Sequence, residues 1–181
     1  MIEMSERINK PISTRELERR WSAMRSAMDQ QGIDVLLMQN NNDHMGGYTK
    51  YVTDIPATNG YPVTIVFPRD DDMTQINQGP FDFVKNMDIK GSDGVHRGVK
   101  TMMTTPSYAC ASYTNEYDPL LACKAIEPYK HGTIGLVGTY QMSFAMVDYV
   151  KKQFPKANYV EASDLVDQIK VIKSDEELDL I

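Results

Sequence analysis

The sequence is short of the residues that usually announce a chemistry. Two cysteines, Cys110 and Cys123, stand among 181 residues, in no CxxC or zinc-type spacing. That argues against a disulfide framework or a thiolate metal site and leaves two reduced, partly buried thiols. Three histidines, His44, His96 and His131, are scattered without HExxH or HxxxH spacing, so no local motif supplies a metal site. There is no GxSxG nucleophile elbow. No apolar run approaches the roughly 18 residues a membrane span needs, and the N-terminus lacks an apolar signal region. Positive charge is also in deficit: 19 Lys and Arg face 25 Asp and Glu, a formal net charge of −6. With no basic cluster, that balance speaks against a nucleic-acid or anionic-membrane partner. The expectation is a cytoplasmic protein.

What remains is ordinary globular material. Apolar residues make up 41% and charged residues 24% of the chain, enough for one domain with a substantial core. The twelve methionines read as adaptable core filler. Residues 1–12 are polar and expected to be loose. Ser13-Thr14-Arg15-Glu16 is a capping box that opens a helix, with Leu17, Trp21, Met24 and Met28 on one face and Gly32 as its stop. "IDVLLMQ" (33–39) comes next as a strand buried on both faces. Helix, glycine, buried strand is α/β grammar.

Residues 61–78 predict a hairpin turning at Pro68 to Asp72. Residues 79–95 are expected to be irregular, 98–104 a strand, 118–127 a helix and 133–138 a strand. A helix over 141–153 places Phe144, Val147 and Val150 on one side, and "NYVEA" (158–162) is a strand. Ser163 is read as the cap of a helix carrying Leu165, Val166 and Ile169. Finally Ser174-Asp175-Glu176-Glu177 forms a second capping box. It starts a helix that has no stop signal before Ile181.

Few stretches carry chemical suggestion. Asp70-Asp71-Asp72 lacks the glycine and distal glutamate of a calcium loop and reads as a solvated turn. Gly132, Gly135 and Gly138 have the wrong spacing for a dinucleotide fingerprint, so close packing in the sheet is their better account. Residues 40–60 differ in kind. They gather Asp43, His44, two glycines, Tyr48, Lys50, Tyr51 and Asn59 directly after a buried strand, where open α/β sheets bind ligands. The residues alone therefore define an α/β domain without a self-sufficient catalytic set.

The order of segments resembles a known family. "RELERRWSAMRSAMDQQGID" leads into "VLLMQNNNDHMGGYTKYVT", "GTIGLVG" comes later, and the chain closes on "LVDQIKVIKSDEELDLI". This is similar to the N-terminal domain of the creatinase, prolidase and aminopeptidase P family, whose closing "R-x-I-K-S-x-E-E" stretch is matched at Ile172 to Glu177, with Lys170 for the usual Arg. The resemblance implies a mixed β-sheet flanked by helices with a ribonuclease H-like motif, spanning residues 13–173. Residues 174–181 would begin the first helix of a catalytic pita-bread domain.

The same resemblance implies a non-catalytic domain for dimerisation and substrate gating in a metal-dependent Xaa-Pro peptidase-like hydrolase. Catalytic residues and metal ligands would lie in the second domain, with two divalent ions (manganese, cobalt or zinc), and none is assigned here. Expected partners are that domain, a second copy in a homodimer, and a peptide or small amide substrate. His44, Tyr48, Lys50, Asn59 and Tyr61 would touch substrate in the partner subunit's active site. The stretch Ala57-Thr58-Asn59-Gly60 lacks the aromatic and Arg that creatinases place before the hairpin strand, which turns the expectation away from creatine. Two alternatives stay open: a stand-alone binding module using residues 40–60, and a relative acting on another amide or C–N bond.

Overall fold

The computed structural model describes residues 11–41, 46–57, 60–87, 94–108 and 111–181. The first helix, α1 (Thr14–Gln31), starts and stops at the expected residues, but only half of the expected capping box forms: the Glu16 carboxylate is taken by Arg19 and Arg20, and the Ser13 N–H donates to Glu176 instead. Ser13 Oγ accepts from the Glu16 N–H at 3.1 Å. Gly32 closes the helix in the left-handed region at φ 65°, donating to Met28 and Asp29 carbonyls. Such a conformation costs a glycine little.

The chain then enters β1 (Val35–Asn40), every residue of which is buried. It is the third strand from one edge of a seven-stranded sheet, with β2 (Val63–Pro68) antiparallel on one side and β6 (Thr133–Val137) parallel on the other. β3 (Met73–Gln78) returns antiparallel to β2, and β5 (Val99–Thr105) runs parallel to β3. β4 (Phe83–Asn86) and β7 (Asn158–Glu161) are the two edges, in the order β4-β5-β3-β2-β1-β6-β7. An antiparallel β1–β2–β3 meander continued by parallel strands beside β1 is the ribonuclease H-like arrangement.

Alternation along β1 divides the core in two. Leu36 and Met38 face a cluster built with α1, α2 (Tyr48–Thr53) and α5 (Ser163–Val171). Val35 and Leu37 face a second cluster built with α3 (Tyr117–Ile126) and α4 (Phe144–Gln153). Both sides of the sheet are thus covered, which is why β1 reads as an unbroken apolar run. Gly135 on β6 is needed for this packing: a Cβ there would lie 2.6 Å from Leu36 Cδ2. The last helix, α6 (Asp175–Asp179), carries both reciprocal hydrogen bonds of its capping box.

Four further local expectations are corrected. Residues 40–60 contain α2, although "YTKYVT" is rich in β-branched and aromatic residues with weak helix propensity. Burial of Tyr48, Thr49, Tyr51, Val52 and Thr53 holds it. Residues 79–95 contain β4, whose four residues are all exposed, so an edge strand with no core-facing alternation left no periodic signal. Helix α4 starts at Phe144; Val150 is buried and Val147 packs against the same cluster as expected, but Met146 takes the inward place expected of Phe144. Phe144 is 83% exposed, because it lies about 200° of helical rotation from Met146. Ser163 is the first residue of α5, not its cap; Ala162 occupies that position, and the Ser163 hydroxyl accepts from the Gly138 N–H at 2.8 Å.

Candidate functional site

The carboxyl ends of β1, β5 and β6 converge at one end of the sheet, because all three run parallel. Residues 40–60 leave from there, and the sheet divides the space around that end into two environments.

On the α1 side, α2 packs beneath α5. Tyr48 is only 2% exposed, and its hydroxyl donates to Asp167 Oδ2 at 3.0 Å. Burial and the neighbouring Asp167 push the Tyr48 phenol well above its ordinary range. The ring is boxed in by backbone: a Cβ on Gly46 (φ +90°) or Gly138 (φ +73°) would approach it within 3 Å. Lys170 of α5 lies 4.6 Å from the Tyr48 ring centre, donates to the Gly46 carbonyl, and has its pKa lowered chiefly by burial. Lys170 therefore ties α5 to the start of α2, in a cation–π arrangement that an ammonium and two aromatic rings support.

Beyond it, Arg20 stacks over the Tyr51 ring at 4.3 Å and donates to the Tyr51 carbonyl at 3.0 Å. The same guanidinium meets Glu16 at 2.8 Å and Glu177 at 2.9 Å. The start of α6 is thereby fixed to α1, with Glu176 accepting from both the Ser13 N–H and hydroxyl.

On the other side, Gln39, Asn41, Pro62, Ser107, Asp118 and Gln141 are among the residues enclosing a cavity of about 100 Å³. Asp118, in the first turn of α3, is 3% exposed. Burial, partly opposed by a hydrogen bond with Ser107, raises its pKa to about 7.

The residues singled out from sequence are distributed unevenly. Tyr48 and Lys50 share α2, with Tyr48 buried and Lys50 half-buried. Tyr61 lies at the sheet end, 36% exposed, edge-on to Tyr108 at 5.7 Å. His44 and Asn59 lie outside the described residues. Asp118 and Gln141 gave no sequence signal. An Asp in a helix's first turn is commonplace, and only the fold brings Asp118 to Gln141. Among the described residues, no three His, Cys, Asp or Glu side chains converge as a metal site requires, so no metal chemistry is assigned to them. No helix among them is long and apolar enough to cross a membrane.

The fold has known counterparts. By sequence, no family model and no curated protein matches the chain. By structure it is similar to a prolidase from Thermococcus sibiricus, with a TM-score of 0.62 and 14% identity over 91% of this chain and 39% of that one. An Xaa-Pro dipeptidase from Bacillus anthracis gives 0.59 and 16%, over 90% of this chain and 38% of its own. Aminopeptidase P from Streptococcus thermophilus gives 0.56 and 16%, over 85% of this chain and 98% of the other. The chain therefore has a fold found in prolidases and Xaa-Pro aminopeptidases. It spans about two fifths of the length of the first two enzymes.

Proposed function

We propose that this chain is the non-catalytic N-terminal domain of a metal-dependent Xaa-Pro peptidase-like hydrolase, serving dimerisation and substrate gating in a cytoplasmic homodimer. The observation that carries this reading is the fold likeness over about nine tenths of the chain but only 38–39% of two such enzymes. The clasp between α6 and α1 supports it, since Ile172 to Glu177 is the stretch that resembles the family's handover into the catalytic domain. Held on Arg19, Arg20 and Ser13, that helix would direct a catalytic domain along a fixed line. In the assembled enzyme two divalent ions of the second domain would activate a water and polarise the scissile carbonyl. His44, Lys50, Asn59 and Tyr61 would then border the partner subunit's active-site mouth.

The test is to express the complete natural reading frame and assay it with manganese, cobalt or zinc on Xaa-Pro dipeptides, Xaa-Pro tripeptides and creatine. Metal-dependent cleavage of an Xaa-Pro bond by a dimer is the expected result. A complete product without hydrolase activity on any of these would overturn the reading.

A further inference from the structure

The edge strand β4 is well placed yet lies outside the core. All four of its residues are exposed, Phe83 at 49% and Val84 at 46%. It nevertheless pairs in register with β5 from Phe83 to Asn86. Just ahead of it, Phe81 packs edge-on to Tyr117 of α3 at 5.1 Å, and Asp82 meets Lys124 at 2.6 Å. An ordered, apolar edge strand is a template for another strand. Which of its backbone groups point outward follows from one hydrogen bond. The Met87 N–H donates to the Lys100 carbonyl at 2.8 Å, continuing the same antiparallel register. Bonded pairs alternate along such a ladder, so Lys85 and Phe83 also turn their backbone groups to β5. Val84 and Asn86, between them, turn their N–H and C=O groups away from the sheet.

We propose that β4 pairs antiparallel with β4 of a second copy of this chain about a two-fold axis at Val84, joining two seven-stranded sheets into one. Such an interface needs a self-complementary strand, and the side chains select one register. With the axis at Val84, its N–H and C=O exchange hydrogen bonds with Val84 of the second copy. Phe83 then lies across from Lys85 of that copy on both sides of the axis, a cation–π pairing. An axis at Lys85 would instead set two lysines directly opposite each other, which is destabilising. An axis at Phe83 would pair Val84 with Asp82, whose φ of 51° is not extended. An axis at Asn86 would carry Val84 past the end of the second copy's strand. A lysine on an edge strand ordinarily discourages pairing; here it discourages the wrong register. The inference gives the dimerisation of the proposed reading a surface, and it needs no catalytic domain, so the two can fail separately.

The test is self-association of the full chain by sedimentation equilibrium, with cross-linking to fix the register. The wild-type chain should dimerise reversibly. Val84→Pro removes an N–H that β5 does not use, and proline is tolerated on an outward-facing edge. The variant should therefore keep its fold by circular dichroism and dimerise about tenfold more weakly or worse, the scale of two lost hydrogen bonds. Val84→Cys sets two thiols at the axis with Cα atoms about 5.5 Å apart, within disulfide reach. Oxidised with diamide, it should form a covalent dimer beyond any link the wild-type chain forms, whereas Phe83→Cys and Lys85→Cys should not. A wild-type chain that stays monomeric, or a dimer unchanged in folded Val84→Pro, would overturn the proposal. So would a link formed as readily by Lys85→Cys as by Val84→Cys. Should Val84→Pro fail to fold, the cross-link decides alone, and its absence in Val84→Cys overturns the proposal.

Discussion

Arg20 and Glu177, 157 residues apart in sequence, meet at 2.9 Å and join the first helix of the domain to the last. Arg20 is 3% exposed and also serves Glu16 and the Tyr51 carbonyl. Its removal leaves the buried Glu16 carboxylate to Arg19, which holds it at 2.7 and 2.8 Å, and leaves the Tyr51 carbonyl without that donor. Arg20→Ala is expected to cost about 2–3 kcal/mol, the scale of lost hydrogen bonds to charged groups. Glu177→Gln, which leaves Arg20 its other partners, should cost about 1 kcal/mol. Urea denaturation of both variants is the measurement. Equal losses would show that Arg20 acts only through α6.

The acid limb of stability should depend on Glu16. Its hydrogen bond from Arg19 leads, against the opposing cost of burial, in holding the carboxyl at about 2 against an ordinary 4.5. The folded value is the depressed one. The contribution is therefore present above about 4.5 and is lost as pH falls through about 2, with a size on the order of 3 kcal/mol. Asp118 has the opposite sign: burial raises it from 3.8 to about 7, so it destabilises the fold increasingly between those values. Asp118→Asn should match wild type near pH 4 and exceed it above pH 7, while Glu16→Gln should be weaker at neutrality and converge with wild type in acid. Unfolding midpoints measured across pH check both, and parallel curves for either variant would refute its assignment.

Trp21 anchors α1 to the rest of the domain. Its ring is 7% exposed, and its indole N–H donates to the Val52 carbonyl at 2.7 Å. Trp21→Ala is expected to cost about 3–5 kcal/mol through the cavity it leaves. Trp21→Phe should cost about 1–3 kcal/mol, since the Val52 carbonyl loses its donor. A loss under about 1 kcal/mol for the alanine variant would mean the helix face is wrongly assigned.

Tyr48 and His44 should separate when varied in the assembled protein. Tyr48 is buried and bonded to Asp167, so Tyr48→Phe should cost about 0.5–1.5 kcal/mol in stability. His44→Ala tests the proposed contact with substrate in the partner's active site. It should lower kcat/KM by about the worth of one hydrogen bond, with stability unchanged. Steady-state kinetics beside thermal melts distinguishes the two; wild-type kinetics in His44→Ala would remove residues 40–60 from the substrate path.

Some of this protein was decided within a few residues of chain. Ser13 and Gly32 set the ends of α1, Leu17, Trp21, Met24 and Met28 set its buried face, and the run from Ile33 to Gln39 declared a strand covered on both sides. Ser174 and Glu177 declared a helix start through hydrogen bonds only three residues apart. These signals are local because capping and periodicity act over one or two turns. Other features had no local cause. The helix in "YTKYVT" exists because α5 and α1 bury it, against its own propensity. β4 exists because β5 offers it backbone partners along Phe83 to Asn86, which no side-chain pattern reports. That Glu177 would find Arg20, or that Asp118 would be enclosed with Gln141, depends on strands pairing across long stretches of chain. Sequence determines which groups can cap, pair or pack, but a group's burial and partner are properties of its neighbours in space, and those only the folded sheet supplies.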